Sequence, residues 1–213
     1  MIETILFDLD GTLSDSEPGI LNCVEYALEH FGISAEREEL RCFIGPPLHE
    51  SFMQKFGMDD ETAYAAQAKY RERFSTIGIL ENEMYPGIEA LLRALKAAGK
   101  RLAVATSKPT PFSRRIIERY GLNELLDLTL GSEFDGTRHS KAAVIEDVIG
   151  MLGANKATTV MVGDRNYDVL GAKQCGIPCV GVAYGYAEPG ELEEAGAICV
   201  AQTVEELQTI LLS

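Results

Sequence analysis

The chain has 213 residues, of which 46% are hydrophobic and 24% are charged, and its formal net charge is −14. This length is enough for one hydrophobic core and a small second lobe, and no apolar run reaches the roughly 20 residues that a membrane-spanning helix needs. The acidic balance, without a dense block of Lys and Arg, argues against a nucleic-acid polymer as partner. With no basic leader segment and five cysteines in no metal-binding pattern, the chain is expected to be cytoplasmic.

The chain begins with a predicted strand and continues into a helical block. Residues 2–7 form a short apolar run that ends in Asp8-Leu9-Asp10-Gly11-Thr12, where the glycine predicts a turn. From 16 to 79, apolar residues recur at helical spacing, and the turn Gly45-Pro46-Pro47 interrupts the pattern. Because this block contains no clear strand, we expect a helical cap domain inserted after the first strand.

Beyond residue 87, predicted strands and helices alternate. The strands are predicted at 101–106, 126–130, 158–162, 177–182 and 197–200. The helices are predicted at 88–98, 111–120, 141–152, 168–175, 188–195 and 204–212. This alternation predicts an α/β fold with a parallel sheet, and the near-continuous apolar strands indicate a sheet that is covered on both faces. The predicted core domain is 1–15 with 80–213, and the predicted inserted domain is 16–79.

Polar side chains follow three of the predicted strands and open one of the predicted helices. They are Asp8, Asp10, Thr106, Ser107, Lys108, Lys141, Asp164 and Asp168. In an open α/β sheet the ligand site lies at the carboxyl ends of the strands. We therefore expect these side chains to converge at one edge of the sheet.

The chemistry of these residue types points to phosphoryl transfer. The carboxylates of Asp8, Asp10 and Asp164 suit Mg²⁺, a hard cation that prefers oxygen ligands. A carboxylate such as Asp8 can also attack phosphorus and form an aspartyl-phosphate, while Asp10 can act as general acid and then as general base. Lys141 and the metal would neutralise the transferred charge. Thr106 or Ser107 would hold phosphate oxygens at a helix N-terminus.

The order and spacing of these residues resemble the four motifs of the haloacid dehalogenase superfamily. The matching segments are 7–13, 106–107, Lys141 and 163–168, and the resemblance extends from residue 5 to about 186. The resemblance implies a Rossmann-like core with a helical cap inserted after the first strand. It also implies a phosphatase similar to phosphoglycolate phosphatases and to 5′-nucleotidase-like members.

The resemblance also implies a role for each catalytic residue. Asp8 would be the nucleophile and a metal ligand, and Asp10 would be the acid/base and bind the metal through its backbone carbonyl. Asp164 would be a metal ligand, and Lys141 would steady Asp8 and the transferred charge. Asp168 would orient Lys141 or a metal-bound water. The carboxylate of Asp10 separates phosphotransferases from dehalogenases, which lack it.

Seven further residues are expected to contact the phosphate or the rest of the substrate. Gly11, Thr12, Thr106 and Ser107 are the expected phosphate-binding residues, and Thr106 and Ser107 are not ranked. Gly45, Lys108 and Arg138 are substrate candidates. For Lys108 and Arg138 the alternative is a surface position, and for Gly45 it is a simple helix-breaking turn. Arg138 belongs to a segment, 131–141, that resembles the 5′-nucleotidase-like subgroup.

The predicted function is hydrolysis of a small phosphorylated metabolite with Mg²⁺ as cofactor, with phosphoglycolate or a nucleoside 5′-monophosphate as the expected substrate. One alternative is a sugar phosphomutase similar to β-phosphoglucomutase, which would share every core residue and differ in returning the phosphoryl group to a sugar. Another is a non-catalytic regulatory or binding protein on the same fold. The choice between a monomer and a dimer stays open.

Overall fold

A computed structural model describes residues 1–135 and 137–213 and divides the chain into two compact units. The α/β unit contains residues 1–14 and 84–213, and the helical unit contains residues 15–83. The inserted domain was predicted at 16–79, so the boundaries differ by one residue at its start and four at its end. The later end has a local cause, because the Gly19 amide donates to the Glu81 carbonyl and ties the end of the segment to its first helix. Gly136, in the segment predicted to resemble nucleotidases, lies outside the described residues.

The strands of the described chain are short, and six of them form one sheet. In chain order they are β1 (Thr4–Phe7), β2 (Ser14–Asp15), β3 (Glu83–Met84), β4 (Arg101–Pro109), β5 (Leu128–Ser132), β6 (Thr159–Gly163), β7 (Cys179–Val182) and β8 (Cys199–Ala201). The six-stranded sheet has the order β5-β4-β1-β6-β7-β8, and its neighbouring strands pair in parallel. The predicted α/β class with a parallel sheet is therefore confirmed.

The helices connect the parallel strands and build the inserted unit. In chain order they are α1 (Glu17–His30), α2 (Leu48–Phe56), α3 (Asp60–Phe74), α4 (Ile88–Ala97), α5 (Thr110–Arg119), α6 (Lys141–Leu152), α7 (Asn166–Gln174), α8 (Glu191–Ala195) and α9 (Val204–Leu212). No helix in the described part of the chain combines the length and the apolar character that crossing a membrane requires.

The central strand β1 is buried along its whole length, as the continuous apolar run predicts. Ile5, Leu6 and Phe7 are all fully buried. Leu6 belongs to a cluster that α6 and α7 complete with Val148 and Val169. A strand that is buried on both faces is rigid, which suits it to position the residues that follow its carboxyl end.

Strand β4 is longer than the sequence predicts. It was expected at 101–106 but extends to Pro109, with a register shift against β5 between Thr106 and Pro109. Ser107 and Lys108 therefore lie in an irregular strand segment. Thr106 and Ser107 are expected to bind phosphate at a helix N-terminus, and α5, predicted from residue 111, begins at Thr110.

The helical unit has its own apolar core. Its buried residues include Leu21 and Val24 of α1, Phe52 of α2 and Phe74 of α3. Local signals set its helix ends, since the Asp59 side chain accepts a hydrogen bond from the Thr62 amide at the start of α3. The sequence pattern did not show β2 and β3, which contain two residues each and form a two-stranded sheet.

Candidate active site

Asp8 lies directly beyond the carboxyl end of the central strand. Phe7 pairs with Val104 of β4 on one side and with Val162 of β6 on the other. The Asp8 amide continues this pairing by donating to the Val162 carbonyl at 2.9 Å. The Leu9 amide donates to Asp8 Oδ1 at 2.8 Å. Asp8 is 5% exposed, so its carboxylate is both fixed and shielded from water.

Lys141, the first residue of α6, connects two of the predicted carboxylates. Its Nζ lies 3.0 Å from Asp8 Oδ1 and 2.8 Å from Asp168 Oδ1. It also donates to the carbonyl oxygen of Ala105 on β4 at 3.3 Å. The start of α6 is fixed by Ser140, whose side chain accepts a hydrogen bond from the Ala143 amide. The structure thus brings together Asp8, Lys141 and Asp168 as the sequence predicts.

The charges of this cluster influence one another. Burial alone would lower the pKa of Lys141, but the carboxylates of Asp168 and Asp8 raise it above its usual range. Burial raises the pKa of Asp168 to about 6, against the opposing effect of Lys141. At neutral pH, Lys141 therefore remains a cation and Asp168 an anion, and the ion pair holds both side chains in place.

Asp164 follows β6 and is completely buried. The hydroxyl of Thr12 donates to its Oδ1 at 3.1 Å, and the amide of Tyr186 donates to its Oδ2 at 2.9 Å. Burial raises the pKa of Asp164 well above its usual range, and the neighbouring charges of Asp168 and Asp8 raise it further. A bound cation would offset this concentration of buried negative charge.

Three carboxylates could hold a metal ion. Asp8, Asp164 and Asp168 each offer an oxygen, and these oxygens lie within 4.8 Å of one another. Asp168 is already engaged, because its Oδ1 pairs with Lys141 and its Oδ2 accepts from the Arg165 amide at 3.1 Å. The motif resemblance favours Asp8 and Asp164 as the ligands, and a buried set of oxygen donors fits Mg²⁺.

The prediction that Gly11 and Thr12 bind phosphate needs correction. The Gly11 amide donates to the Ser14 carbonyl and the Thr12 amide to the Leu9 carbonyl, so both donors are used inside the turn. The hydroxyl of Thr12 is used as well, on Asp164. Gly11 has a φ of 79°, a left-handed conformation that glycine adopts without strain. These residues shape the turn, and Thr12 orients the Asp164 carboxylate.

A loop after β7 supports the same carboxylate and was missed by the sequence analysis. The Tyr186 amide donates to Asp164, and the Tyr184 hydroxyl donates to the Thr12 carbonyl at 3.1 Å. A Cβ on Gly185 would lie 2.3 Å from the Gly11 carbonyl oxygen, so only glycine fits there. The available signal was a glycine between two tyrosines just after a strand that ends at the same edge of the sheet.

Lys108 is paired with Asp10. Lys108 Nζ lies 2.8 Å from Asp10 Oδ2. Lys108 is 8% exposed, so its alternative interpretation as a surface residue is wrong. The second carboxylate oxygen of Asp10, Oδ1, is buried and has no hydrogen-bond partner among the described residues.

The structure also separates the two hydroxyl residues of β4. Thr106 is 1% exposed, and its Oγ1 accepts a hydrogen bond from the Lys108 amide. Ser107 is partly exposed, and its carbonyl accepts from the Ser132 hydroxyl at 2.7 Å. The Ser107 hydroxyl is thus the better placed of the two to contact a ligand.

Arg138 and Gly45, both substrate candidates, lie in different units. Arg138 Nε donates to the Gly131 carbonyl at 2.9 Å, and its guanidinium pairs with Glu133 and Asp147. These partners lie in β5, in the loop that follows it and in α6, and the substrate contact expected for Arg138 stays a prediction. Gly45 belongs to the helical unit, where it has a φ of 105° just before α2.

A family profile and several named relatives match most of the chain. A profile of the "Haloacid dehalogenase-like hydrolase" family matches residues 5–182. A protein of Pseudomonas aeruginosa named 5′-nucleotidase is 43% identical over 189 residues, covering 88% of this chain and 86% of its own. A protein of Mycobacterium tuberculosis named tyrosine-protein kinase PtkA is 38% identical over 98% of this chain and 72% of its own.

A solved structure extends the likeness to three dimensions. The crystal structure of a predicted phosphatase from Clostridium acetobutylicum has a TM-score of 0.97 and 43% identity, and the match covers 100% of this chain and 99% of that one. The resemblance predicted from the motifs and the assignment to an enzyme of this class are both confirmed. The chain belongs to the haloacid dehalogenase-like hydrolase family.

Proposed function

We propose that this enzyme is a Mg²⁺-dependent phosphate monoester hydrolase that works through an aspartyl-phosphate on Asp8. The main support is the buried cluster in which Lys141 Nζ contacts Asp8 and Asp168 at 3.0 and 2.8 Å, next to the second metal-ligand candidate, Asp164. A nucleophile, an adjacent cation and a pair of oxygen ligands in one water-poor site are what phosphoryl transfer requires.

In the first step, an oxygen of the Asp8 carboxylate attacks phosphorus. The bond from phosphorus to the ester oxygen breaks as the bond to Asp8 forms, and protonated Asp10 gives its proton to the departing oxygen. Lys141 holds Asp8 in position for this attack. The Ser107 hydroxyl, which is partly exposed, is proposed to donate to a phosphate oxygen.

In the second step, water attacks the phosphorus of the aspartyl-phosphate. Asp10, now a carboxylate, takes a proton from that water as its oxygen bonds to phosphorus and the bond to Asp8 breaks. Inorganic phosphate leaves, and both aspartates return to their starting states. One residue thus serves as acid and then as base.

Asp8 and Asp164 are proposed to hold the metal, with a contribution from the Asp10 backbone carbonyl that remains a prediction. When bound, Mg²⁺ supplies positive charge that lowers the cost of bringing an anionic carboxylate to an anionic phosphate. The fit is indicated by the raised pKa of Asp164, since burial and the neighbouring charges of Asp168 and Asp8 disfavour its anion without a cation.

We propose a small phosphorylated metabolite as substrate, with a nucleoside 5′-monophosphate first and phosphoglycolate second. The 5′-nucleotidase of Pseudomonas aeruginosa, at 43% identity, supports the nucleotide. We further propose that the helical unit, as a cap, selects the substrate and that the Gly45-Pro46-Pro47 turn takes part in this selection. A panel of phosphate esters, compared by kcat/KM in the wild type and in variants of this turn, tests both statements.

Asp8→Asn is the decisive test of the chemistry. The amide is a much poorer nucleophile, so we expect turnover to fall by at least about 10³-fold, close to the background rate. Wild-type turnover should disappear with a chelator and return with added Mg²⁺, and unfolding measurements should show that the variant is folded. Full activity of Asp8→Asn would contradict the proposal. Release of an isomeric sugar phosphate, in place of free phosphate, would favour a mutase.

A further inference from the structure

The contact between Lys108 and Asp10 has no role in the mechanism proposed above. Lys108 Nζ and Asp10 Oδ2 are 2.8 Å apart, and the two side chains are only 5% and 12% exposed. Asp10 Oδ1 is buried without a hydrogen-bond partner among the described residues. One oxygen of this carboxylate is therefore fixed by a cation, and the other is left for a ligand.

The backbone of Lys108 is held in place by its own strand and helix. The register of β4 shifts between Thr106 and Pro109, and such a bulge redirects the side chains that lie in it. The Lys108 amide donates to Thr106 Oγ1 at 3.2 Å, and the Ser113 hydroxyl of α5 donates to the Lys108 carbonyl at 3.3 Å. Both polar backbone groups of Lys108 are thus engaged.

The neighbouring strand β5 is shaped to receive this bulge. A Cβ on Gly131 would lie 1.9 Å from the Lys108 carbonyl oxygen, so any side chain at Gly131 would displace Lys108. The Thr110 hydroxyl oxygen accepts from the Gly131 amide at 3.0 Å and completes the attachment. Contacts from α5 and from β5 therefore hold the bulge in place. The backbone position from which the Lys108 side chain extends is fixed.

We propose that Lys108 is a positioning residue for Asp10, a role that rests on the proposed phosphatase function. By fixing Oδ2, its ammonium group makes Oδ1 the oxygen that gives a proton to the leaving group and later takes one from water. Two buried lysines then have separate roles: Lys141 positions the nucleophile Asp8, and Lys108 positions the acid/base Asp10. The competing role is direct binding of the phosphoryl group, since the ammonium group carries three N–H donors and can contact more than one partner.

The dependence on the leaving group separates the two roles. A weakly basic leaving group, such as that of para-nitrophenyl phosphate, departs without a general acid, whereas an alkoxide needs one. Because kcat/KM reports the steps up to the first cleavage, it isolates the acid step. In Lys108→Met, we expect kcat/KM for a nucleoside 5′-monophosphate to fall at least about tenfold more than kcat/KM for para-nitrophenyl phosphate.

A double mutant shows whether Lys108 acts through Asp10. In the Asp10→Asn background there is no acid to position, so Lys108→Met should cause no further selective loss on the nucleotide. Equal losses of kcat/KM on both esters would overturn the proposal and indicate phosphate binding. The proposal would also be overturned if the losses from Asp10→Asn and Lys108→Met simply multiplied.

Two more variants serve as controls, one for misfolding of Lys108→Met and one for the loss of a lysine elsewhere in the chain. If Lys108→Met does not fold, Lys108→Gln retains a donor for Asp10 and should show the same selective loss to a smaller extent. Lys156→Met removes a matched ion pair with Glu146, whose side chains are 43% and 55% exposed, and should change neither ester. A wild-type enzyme inactive on both esters would contradict the proposed function, whereas equal losses contradict only the role of Lys108.

Discussion

The two units of the chain differ in whether they bury charged side chains. In the described part of the α/β unit, the buried charged residues are Asp8, Lys100, Lys108, Lys141, Asp164 and Asp168. In the helical unit, every residue of which is described, the buried polar residues are the uncharged Ser16, Ser51 and Asn82. The helical unit keeps its ion pairs at least partly exposed, including Lys69 with Glu72 and Arg73 with Glu81.

This difference separates the residues that stabilise the protein from those proposed to take part in the reaction. Burying a charge costs free energy that pairing only partly recovers, so buried charges are weak evidence for stability. Apart from Lys100, which donates to the Ile2 carbonyl, the buried charges of the α/β unit follow the carboxyl ends of β1 and β6, lie in the β4 bulge or open α6. The helical unit buries no charged residue and so does not have this cost. Its stability depends on apolar packing.

The largest effect is expected from Lys141→Met. It leaves the buried carboxylates of Asp8 and Asp168 without their shared cation, so we expect turnover to be lost and the free energy of unfolding to fall by about 3 kcal/mol. Urea unfolding and a phosphatase assay measure the two effects. Adding Asp8→Asn and Asp168→Asn to Lys141→Met should restore most of the stability without any turnover. If Lys141→Met alone were as stable as the wild type, the inferred cost of the buried charges in the α/β unit would be contradicted.

In the helical unit, Phe52→Ala should have the largest effect on stability. Phe52 is fully buried, and its ring meets that of Phe43 edge-on at 4.8 Å. Removing it leaves a cavity, and we expect the free energy of unfolding to fall by about 3 kcal/mol. Phe52→Leu, which keeps most of the volume, should cost clearly less. Lys69→Met, at an exposed ion pair, should have little effect on stability, and a loss as large as that of Phe52→Ala would be unexpected.

A smaller effect than those of Lys141→Met and Phe52→Ala is expected at Asp127, a charged residue of the α/β unit away from the site. Burial alone would raise its pKa, but the Leu102 amide and Lys96 lower it below its usual value. Its stabilising effect should therefore be present above the unfolded pKa of about 3.9 and be lost as the pH falls through the lower folded pKa.

Asp127→Asn tests this dependence. Since the side chain is 33% exposed, we expect a loss of less than about 1 kcal/mol near neutral pH that disappears in acid. Unfolding of both proteins should be compared across the acidic range, with Glu89→Gln, at an exposed pair, as the control. A difference that grows as the pH falls would contradict the sign of the pKa shift.

Much of the site was predictable because its residues are tied to strand ends. Asp8 and Asp164 follow buried strands, and Lys141 opens a helix, so local patterns were enough to place all three at one sheet edge. The exposures of Lys108 and Arg138 were not predictable, since a lone basic residue gives no local signal of burial. Nor was the loop around Gly185 assigned a role, because its contacts are with Gly11 and Asp164, far away in sequence.

The amino-acid sequence was enough to predict the α/β class, the inserted helical segment and the types of residue proposed to perform the chemistry. These follow from hydrophobic periodicity and from motif order, which are properties of short segments. Which polar and charged side chains contact one another depends on the tertiary structure. The bulge in β4 brings Lys108 to Asp10, and the turn after β1 directs Thr12 to Asp164. Such pairings depend on strand register and on close backbone contacts, which no local pattern encodes.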